Sequence, residues 1–472
     1  MKKIYSIIAI ALVALSASSC VKDFLDLKPR GKEIASTYDH YLGMLNHTTL
    51  VSFSGTFVFQ NLGEELINNT QSMTQLDTRQ GEPGLLAFKY DSNPYIGDVS
   101  SAEWDTTYAR IYRYNVIIAE VMDAEGGTEE QKKEILAEAR VQRAYMHFLA
   151  SLMFTKPYTE STAATDLSVP IVLKANTMDS EKYTRSTTKE LYDWMIKEIK
   201  ESIPDLPIGE KGVTRVYKGA ANALLGRIYM QKGDYTSALA VLKDAKDQIN
   251  EIGAYKFLDY RASGSSWLGG KTYYKSYPHF YTSSECVCAH YYSIYNLVSD
   301  TAVPYLGLKS DFVSQYVDGD LRGKLVTKHA ATGLDRPVGR QEQNFMLELP
   351  DLYMMLAECE ARVGSVDNAK NLMTEYRKTR FTTDALAAIP STVDTKDKLI
   401  QFIVNERVLE YPGWGMSVID MKRLWNDPLF AEKKAKYVHE TGDGTFTAAA
   451  EDQLTWKIPH KIIKYHLDWQ NN

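Results

Sequence analysis

The chain has 472 residues, of which 44% are hydrophobic and 24% are charged, an ordinary composition for a folded protein. Its 54 basic and 60 acidic residues give a formal net charge of -6, without the basic excess that nucleic-acid-binding proteins normally carry. A nucleic-acid role is therefore not expected. Tyrosine, an amphipathic contact residue, occurs 31 times and supplies most of the aromatic content.

The N-terminus has the pattern of an export signal. Two lysines follow the first methionine, an apolar run covers residues 4–17, and two serines precede Cys20. The run is too short to cross a bilayer about 30 Å thick, which takes roughly 20 apolar residues. Because small residues come directly before a cysteine, the segment resembles a bacterial lipoprotein signal. We expect residues 1–19 to be the signal peptide and Cys20 to carry the lipid; the alternative is an ordinary secretory cleavage with an incidental cysteine.

The next segment, residues 20–36, is predicted to be a tether between the lipid and the folded protein. Its charged residues just after Cys20 resemble the surface-export signal of Bacteroidetes lipoproteins, which predicts display on the outer face of the outer membrane. Residues 37–472 are then expected to form one domain.

Three cysteines remain after Cys20, and an odd number cannot form a complete disulfide framework. Cys286, Cys288 and Cys359 have neither C-x-x-C spacing nor a third clustered ligand. They are predicted to be buried thiols, and no metal site is expected.

The first half of the domain shows helical periodicity in several stretches. Residues 37–72 and 104–123 are predicted helices, and the second has an apolar and aromatic stripe at spacings of three and four. A long helix is predicted over 129–154. Together with the periodic stretch 187–207, it is expected to form a first helix pair that a polar excursion interrupts.

Residues 215–250 predict a complete hairpin of two amphipathic helices. Leu225 lies on the inner face of the first helix, and Gly233 ends it. Asp234 can cap the second helix, whose inner face has Ala238 and Leu242. These offsets match the tetratricopeptide pattern.

A second hairpin repeats this pattern much later in the chain. Leu356, Gly364, Ala369 and Met373 have the same successive spacings of eight, five and four residues. A further pair is predicted in 399–430, broken near a Pro-Gly step. The predicted fold is therefore mostly α, a tetratricopeptide-like scaffold of about four helix pairs with long loop-rich insertions and minor β structure.

The longest irregular insertion covers about 255–305. Helical periodicity is lost there, and residues 267–295 contain nine aromatic residues. Residues 284–296 have the character of a strand. Such a density favours a binding surface, although a local aromatic core would give the same composition.

Taken together, these segments resemble the SusD/RagB family of outer-membrane nutrient-binding lipoproteins. The resemblance extends over nearly the whole mature chain in the expected order, and its segments are AEARVQRAYMHF (137–148), VPIVL (169–173), TRVYKGAANALLGRIYMQKGDY (214–235), SDFVSQYVDGDLR (310–322), ELPDLYMMLAECEARVG (348–364), NERVLEYPGWGMSVIDMKRLW (405–425) and WKIPHKII (456–463).

The resemblance implies a protein without catalytic activity or cofactor that binds an oligosaccharide and delivers it to a SusC-like TonB-dependent outer-membrane transporter. Flat aromatic rings stack on the apolar faces of sugars, so aromatic residues of the loops are the candidate ligand contacts. The predicted ligand-binding residues are Tyr90, Tyr95, Trp267, Tyr273, Tyr274, Tyr277 and Tyr281.

Two other classes of function stay open at this point. An enzyme is disfavoured because the chain has no H-E-x-x-H or G-x-S-x-G motif and no clustered His and Cys ligands. A lipoprotein that binds peptides, or that only contacts its transporter, is the main alternative, since tetratricopeptide grooves bind peptides in other proteins.

Overall fold

The computed structural model describes residues 35–53, 58–67, 82–175, 183–209, 211–262, 279, 281–293, 306–330, 332–337, 342–441 and 444–472. The α-helices in these ranges are α1 (Tyr38–Leu45), α2 (82–88), α3 (Thr107–Glu120), α4 (Glu129–Phe154), α5 (Thr188–Ser202), α6 (Lys218–Gln231), α7 (Tyr235–Ile252), α8 (Ser310–Val313), α9 (Leu349–Val363), α10 (Val366–Lys378), α11 (Asp384–Ala387), α12 (Lys396–Glu410), α13 (Met416–Arg423) and α14 (His460–Ile463).

The strands are short. They are β1 (Ser52–Phe53), β2 (Leu66–Ile67), β3 (Cys286–Cys288), β4 (Tyr291–Ser293), β5 (Gly307–Leu308), β6 (Val326–Lys328), β7 (Asp335–Pro337), β8 (Glu342–Asn344), β9 (Leu347–Glu348), β10 (Val438–Thr441) and β11 (Gly444–Thr447). They pair as β1-β4-β8, β2-β5-β7-β6, β3-β9 and β10-β11. One-turn 3-10 segments and a π-helical turn at Ala102–Thr106 connect several of the helices.

The helices form the predicted scaffold of packed pairs. Helix α4 packs against α5, α6 against α7, α9 against α10 and α12 against α13. Helix α9 also packs against α7 and α12, so the hairpins stack on one another although long insertions separate them in the chain. The predicted fold class is confirmed.

Local sequence explains the first tetratricopeptide-like hairpin. Gly226 of α6 allows close approach, since a Cβ atom there would lie 2.6 Å from two side-chain atoms of Leu242. Gly233 has a φ of +77°, a left-handed conformation that ends α6, and the Asp234 Oδ1 atom then accepts a hydrogen bond from the Ser237 amide at 3.0 Å. Leu242 and Ala238 are fully buried between the helices, as predicted.

The helix predicted over 37–72 is wrong for most of its length. Helix α1 ends at Leu45, and a 3-10 turn at Thr48–Leu50 and the strands β1 and β2 follow. The Arg110 guanidinium accounts for part of this difference, because it donates hydrogen bonds to the carbonyl oxygens of Thr49 (3.0 Å) and Ser52 (2.5 Å). These oxygens are thereby paired outside a helix. Residues 54–57 and 68–72 lie outside the described ranges.

Buried ion pairs join the helices of the second half. Glu358 of α9 is fully buried and accepts hydrogen bonds from Arg362 (2.8 Å) and from Arg423 of α13 (2.6 Å). Arg407 of α12 lies 2.9 Å from Asp420 of α13. The pairs of Glu358 with Arg423 and of Arg407 with Asp420 connect neighbouring helices, and removal of one partner would leave a buried charge with fewer compensating groups.

The predicted buried thiols are confirmed: Cys286, Cys288 and Cys359 are buried and reduced. Among the helices of the described ranges, none is both long enough and apolar enough to span a bilayer.

Candidate ligand-binding site

The C-terminal part of the aromatic insertion is fixed to the scaffold by two small sheets. Strand β3 pairs antiparallel with β9, which leads directly into α9, and β4 lies between β1 and β8. The Tyr291 amide also donates to the Val51 carbonyl oxygen at 2.9 Å, just ahead of the β1 pairing. The sheets therefore position the residues before them relative to the helices.

Two buried polar side chains strengthen this attachment. The Glu285 Oε1 atom accepts hydrogen bonds from the Leu258 amide at 2.9 Å and from the Arg380 guanidinium at 2.7 Å. The His290 Nε2 atom lies 2.6 Å from Gln142 Oε1 on α4. Burial holds the pKa of His290 well below its ordinary value, so the imidazole is neutral near pH 7 and can donate from Nε2 to the amide oxygen.

Three aromatic side chains form a cluster that we call the aromatic edge: His279, Tyr281 and Tyr291. The first two precede β3 in the chain, and Tyr291 begins β4. The rings of His279 and Tyr281 are stacked, with centroids 5.3 Å apart and an interplanar angle of 11°. The ring of Tyr291 meets Tyr281 edge-on at 6.4 Å. The Tyr281 side chain is 48% exposed, so the aromatic edge offers a flat ring to a solute.

A local turn sets the position of Tyr281. The Thr282 amide donates to the His279 carbonyl oxygen at 2.8 Å, which closes the turn. His279 was not among the sequence candidates, although its place within the dense aromatic run could have indicated it. Of the three predicted contacts that lie in the described ranges, Tyr281 is the one at an exposed position.

Tyr90 is a core residue and does not lie where a ligand could reach it. It is 1% exposed, its ring stacks on His439 at 4.5 Å, and its hydroxyl donates to the Leu62 carbonyl oxygen at 3.2 Å. Its φ of +55° is unusual for a residue other than glycine and directs the ring inward. Burial raises the pKa of this phenol well above its ordinary value, in keeping with an interior position.

Tyr95 is also interior, at 2% exposure. Its hydroxyl donates to the buried Glu103 carboxylate, which also accepts hydrogen bonds from the amides of Val58 (2.6 Å) and Phe59 (3.2 Å). Its ring meets Trp456 edge-on at 5.8 Å. The structure thus corrects two predicted contacts, because Tyr90 and Tyr95 both pack in the core.

The other predicted ligand contacts, Trp267, Tyr273, Tyr274 and Tyr277, lie outside the described residues, as does Cys20. Within the part of the chain that is described, no group of three or more His, Cys, Asp or Glu side chains could hold a metal ion.

The fold places this chain in the class of α-helical proteins built from stacked tetratricopeptide-like hairpins. Comparison with known families shows to which family of this class the chain belongs. The family model described as "SusD family" matches residues 175–463. A second model, described as "Starch-binding associating with outer membrane", matches residues 23–230. The first match covers more than half of the chain, which therefore belongs to the SusD family.

Solved structures share this fold over nearly the whole chain. A SusD superfamily protein from Bacteroides thetaiotaomicron VPI-5482 is 19% identical with a TM-score of 0.70, and the match covers 92% of this chain and 99% of that protein. A surface glycan-binding protein A from Bacteroides uniformis is 15% identical with a TM-score of 0.67, over 92% and 99%.

A laminarin-binding SusD-like protein is 18% identical with a TM-score of 0.63, and the match covers 91% of this chain and 98% of that protein. At such identities the similarity shows the fold alone, because one fold supports many different sites. No curated protein sequence is similar enough to count as a relative.

Proposed function

We propose that this protein is a cell-surface receptor that binds an oligosaccharide nutrient without converting it and delivers it to a TonB-dependent outer-membrane transporter. The observation that carries the proposal is the exposed aromatic edge on a SusD-family scaffold. Of two proteins with the same fold, one is described as laminarin-binding and the other as a surface glycan-binding protein, which supports a glycan as the ligand.

The chemistry of the aromatic edge suits a sugar. The apolar C–H face of a pyranose stacks on a flat ring, and hydroxyl groups at its rim exchange hydrogen bonds with polar neighbours. A single stacked ring contributes little, so an oligosaccharide needs several of them. We therefore keep Trp267, Tyr273, Tyr274 and Tyr277 as proposed contacts together with Tyr281, and we leave out the two buried tyrosines.

The proposed attachment follows from the N-terminal sequence. Residues 1–19 would be removed, Cys20 would carry the lipid that holds the protein in the outer membrane, and residues 20–36 would be the tether to the domain over 37–472. Exposed faces of the helix hairpins would contact the transporter, which leaves the aromatic edge for the nutrient. The association of the family model with the outer membrane supports this location.

The binding experiment uses the chain from Val21 onward, without the lipid. Isothermal titration calorimetry against host, plant and microbial glycans should give saturable binding to one class, and chromatography of the incubated ligand should show no products. Release of shorter glycans would mean that the protein is an enzyme. If short peptides saturated the aromatic edge instead, the peptide-binding alternative would replace the proposal.

Two variants test where the glycan binds. Tyr281→Ala should weaken glycan binding several-fold to about tenfold, because one stacking surface is lost. Tyr465→Ala is the matched control, since Tyr465 is a tyrosine that is 76% exposed and belongs to the C-terminal turn. Combined replacement of Trp267 and Tyr274 by alanine should abolish binding while the melting temperature is kept, and retained affinity would place the site elsewhere.

A further inference from the structure

A cavity whose lining includes none of the aromatic edge lies between α8, α12 and the segment 433–440. Its volume is about 540 Å³, within the range of about 300–1,000 Å³ typical of small-molecule pockets. Residues from four separate stretches of the chain line it, which is why no local sequence pattern indicates it.

The base of this cavity is apolar, and it includes the aromatic side chain of Phe312. Phe312 is 5% exposed and Val408 is 2% exposed, and the half-buried side chains of Ile67 and Val438 complete the apolar surface. Among the described residues that line the cavity, none is a tyrosine or a tryptophan. The cavity thus differs in kind from the aromatic edge.

Two ammonium groups form part of the wall. The Lys309 Nζ atom donates hydrogen bonds to the carbonyl oxygens of Glu64 (2.5 Å) and Val438 (2.8 Å), which are uncharged acceptors. The Lys433 Nζ atom lies 2.6 Å from Glu64 Oε1. Backbone carbonyl oxygens therefore hold the Lys309 ammonium group in position. The group makes no direct ion pair with the Glu64 carboxylate.

Charges of both signs stand at the mouth of the cavity. Asp311, Glu440 and Lys436 line it and are exposed, and in the described part of the chain Glu440 and Lys436 make no ion pair. Burial lowers the pKa of Lys309, and the carboxylates of Asp311, Glu64, Glu65 and Glu440 act against this effect. The lining is thus amphoteric, with exposed carboxylates and an exposed ammonium group around one apolar floor.

We propose that this cavity is a second ligand site, which binds a small zwitterion of the amino-acid or short-peptide class. The ligand's ammonium group would lie at Asp311 and Glu440. Its carboxylate would lie at Lys436, with Lys309 and Lys433 behind it. An apolar side chain of the ligand would rest on Phe312 and Val408, so the two charged ends and the apolar part each meet matching chemistry.

The first test is a titration of the chain from Val21 onward with leucyl-leucine, N-acetyl-leucyl-leucine, leucyl-leucinamide and leucine. Leucyl-leucine should bind, and each cap should weaken binding by about tenfold, because each removes one charge-assisted interaction. The titration with leucine shows whether the site prefers a free amino acid or a dipeptide, by comparison of its affinity with that of leucyl-leucine. Absence of binding by leucine and leucyl-leucine, or equal binding of the capped and free forms, would overturn the proposal.

Exposed variants locate the site without risk to folding. Glu440→Gln should weaken leucyl-leucine and leave N-acetyl-leucyl-leucine unchanged, and Lys436→Gln should weaken leucyl-leucine and leave leucyl-leucinamide unchanged. Lys200→Gln is the control, an exposed lysine on α5. If both variants bound leucyl-leucine like the control, the zwitterion would bind elsewhere. Glycan binding at the aromatic edge should be the same in all three, which keeps this test separate from that of the proposed function.

Discussion

The two tetratricopeptide-like hairpins have the same residue spacing but opposite charges at one buried position. Leu225 and Gly226 in α6 correspond to Leu356 and Ala357 in α9, and the next residue is an arginine in the first hairpin and Glu358 in the second. Both charged side chains are buried, Arg227 at 4% exposure and Glu358 at 0%. The two hairpins thus share the spacing of their apolar residues, but the buried residue that follows has a positive charge in the first hairpin and a negative charge in the second.

Each charge directs its hairpin toward a different neighbour. Arg227 makes an ion pair with Asp351 of α9 and donates to the Phe345 carbonyl oxygen at 3.3 Å, so it connects α6 to the start of the second hairpin. Glu358 accepts from Arg362 and Arg423 and connects α9 to α13. The repeat therefore fixes the contact within a hairpin, while the adjacent charge fixes the contact to the next layer.

The largest expected effect comes from removing the charge of the second hairpin. Glu358→Gln should lower the free energy of unfolding by about 3 kcal/mol, because Arg362 and Arg423 would each lose one buried carboxylate partner and keep only Asp427 and Asp420. Chemical denaturation followed by circular dichroism measures this. The exposed ion pair of Asp394 and Lys398 provides the control, and Asp394→Asn should leave the transition unchanged. A loss no larger than that of the control would show that the network adds nothing to stability.

The same carboxylate predicts a pH dependence. Burial alone would raise the pKa of Glu358, but Arg423 and Arg362 outweigh it and lower the pKa from 4.5 to about 2. The resulting stability is present above pH 4.5 and is lost as the pH falls toward 2. Over that window the wild-type protein should lose about 3 kcal/mol more than Glu358→Gln. Denaturation at each pH gives the free energy of unfolding of both proteins. If the two plots of this free energy against pH were parallel, the lowered pKa of Glu358 would be contradicted.

The small residues beside these charges predict a further difference between the hairpins. Gly226→Ala should cost about 1–2 kcal/mol, because its Cβ atom would lie 2.6 Å from the Leu242 side chain. The reverse change in the second hairpin, Ala357→Gly, should cost about 1 kcal/mol through helix propensity alone. A double-mutant cycle with Leu242→Ala checks the cause, since the cost of Gly226→Ala should shrink in that background. An unchanged cost would mean that crowding is not its origin.

Much of the scaffold could be predicted from the sequence because helix pairs leave a periodic apolar pattern. The spacing from Leu225 to Leu242 located α6 and α7, and its repeat from Leu356 to Met373 located α9 and α10. The ion pair between Arg227 and Asp351 could not be predicted, since its partners are far apart in the chain and no periodicity links them. The helix expected over 37–72 was wrong because tertiary hydrogen bonds from α3 override a local pattern.

The candidate site was less predictable for a related reason. Aromatic density located the insertion, and Tyr281 is exposed within it. Composition cannot distinguish a tyrosine that faces solvent from one that fills the core, and Tyr90 and Tyr95 are of the second kind. The amphoteric cavity gave no signal at all, because its charged residues come from separate stretches that only the fold brings together.

The smallest expected effects concern the two turn glycines, which occupy equivalent positions for different physical reasons. Gly233 has a φ of +77° and open space around a would-be Cβ atom, so backbone conformation requires it. Gly364 has a φ of -112°, but a Cβ atom there would lie 2.1 Å from Glu360 Oε2, which accepts a hydrogen bond from the Ser365 amide. Conformation limits the first position and space limits the second.

This difference predicts opposite rankings of two substitutions. Gly233→Ala should cost about 1–2 kcal/mol and Gly233→Asn less, because asparagine tolerates the left-handed conformation. Gly364→Ala should cost about 1 kcal/mol by displacing the Glu360 carboxylate, and Gly364→Asn more, because the larger side chain needs more room. Thermal melts of the four variants measure both rankings. The same ranking at both positions would mean that the two turns end their helices in one way, and that the repeat extends to backbone conformation as well as to spacing.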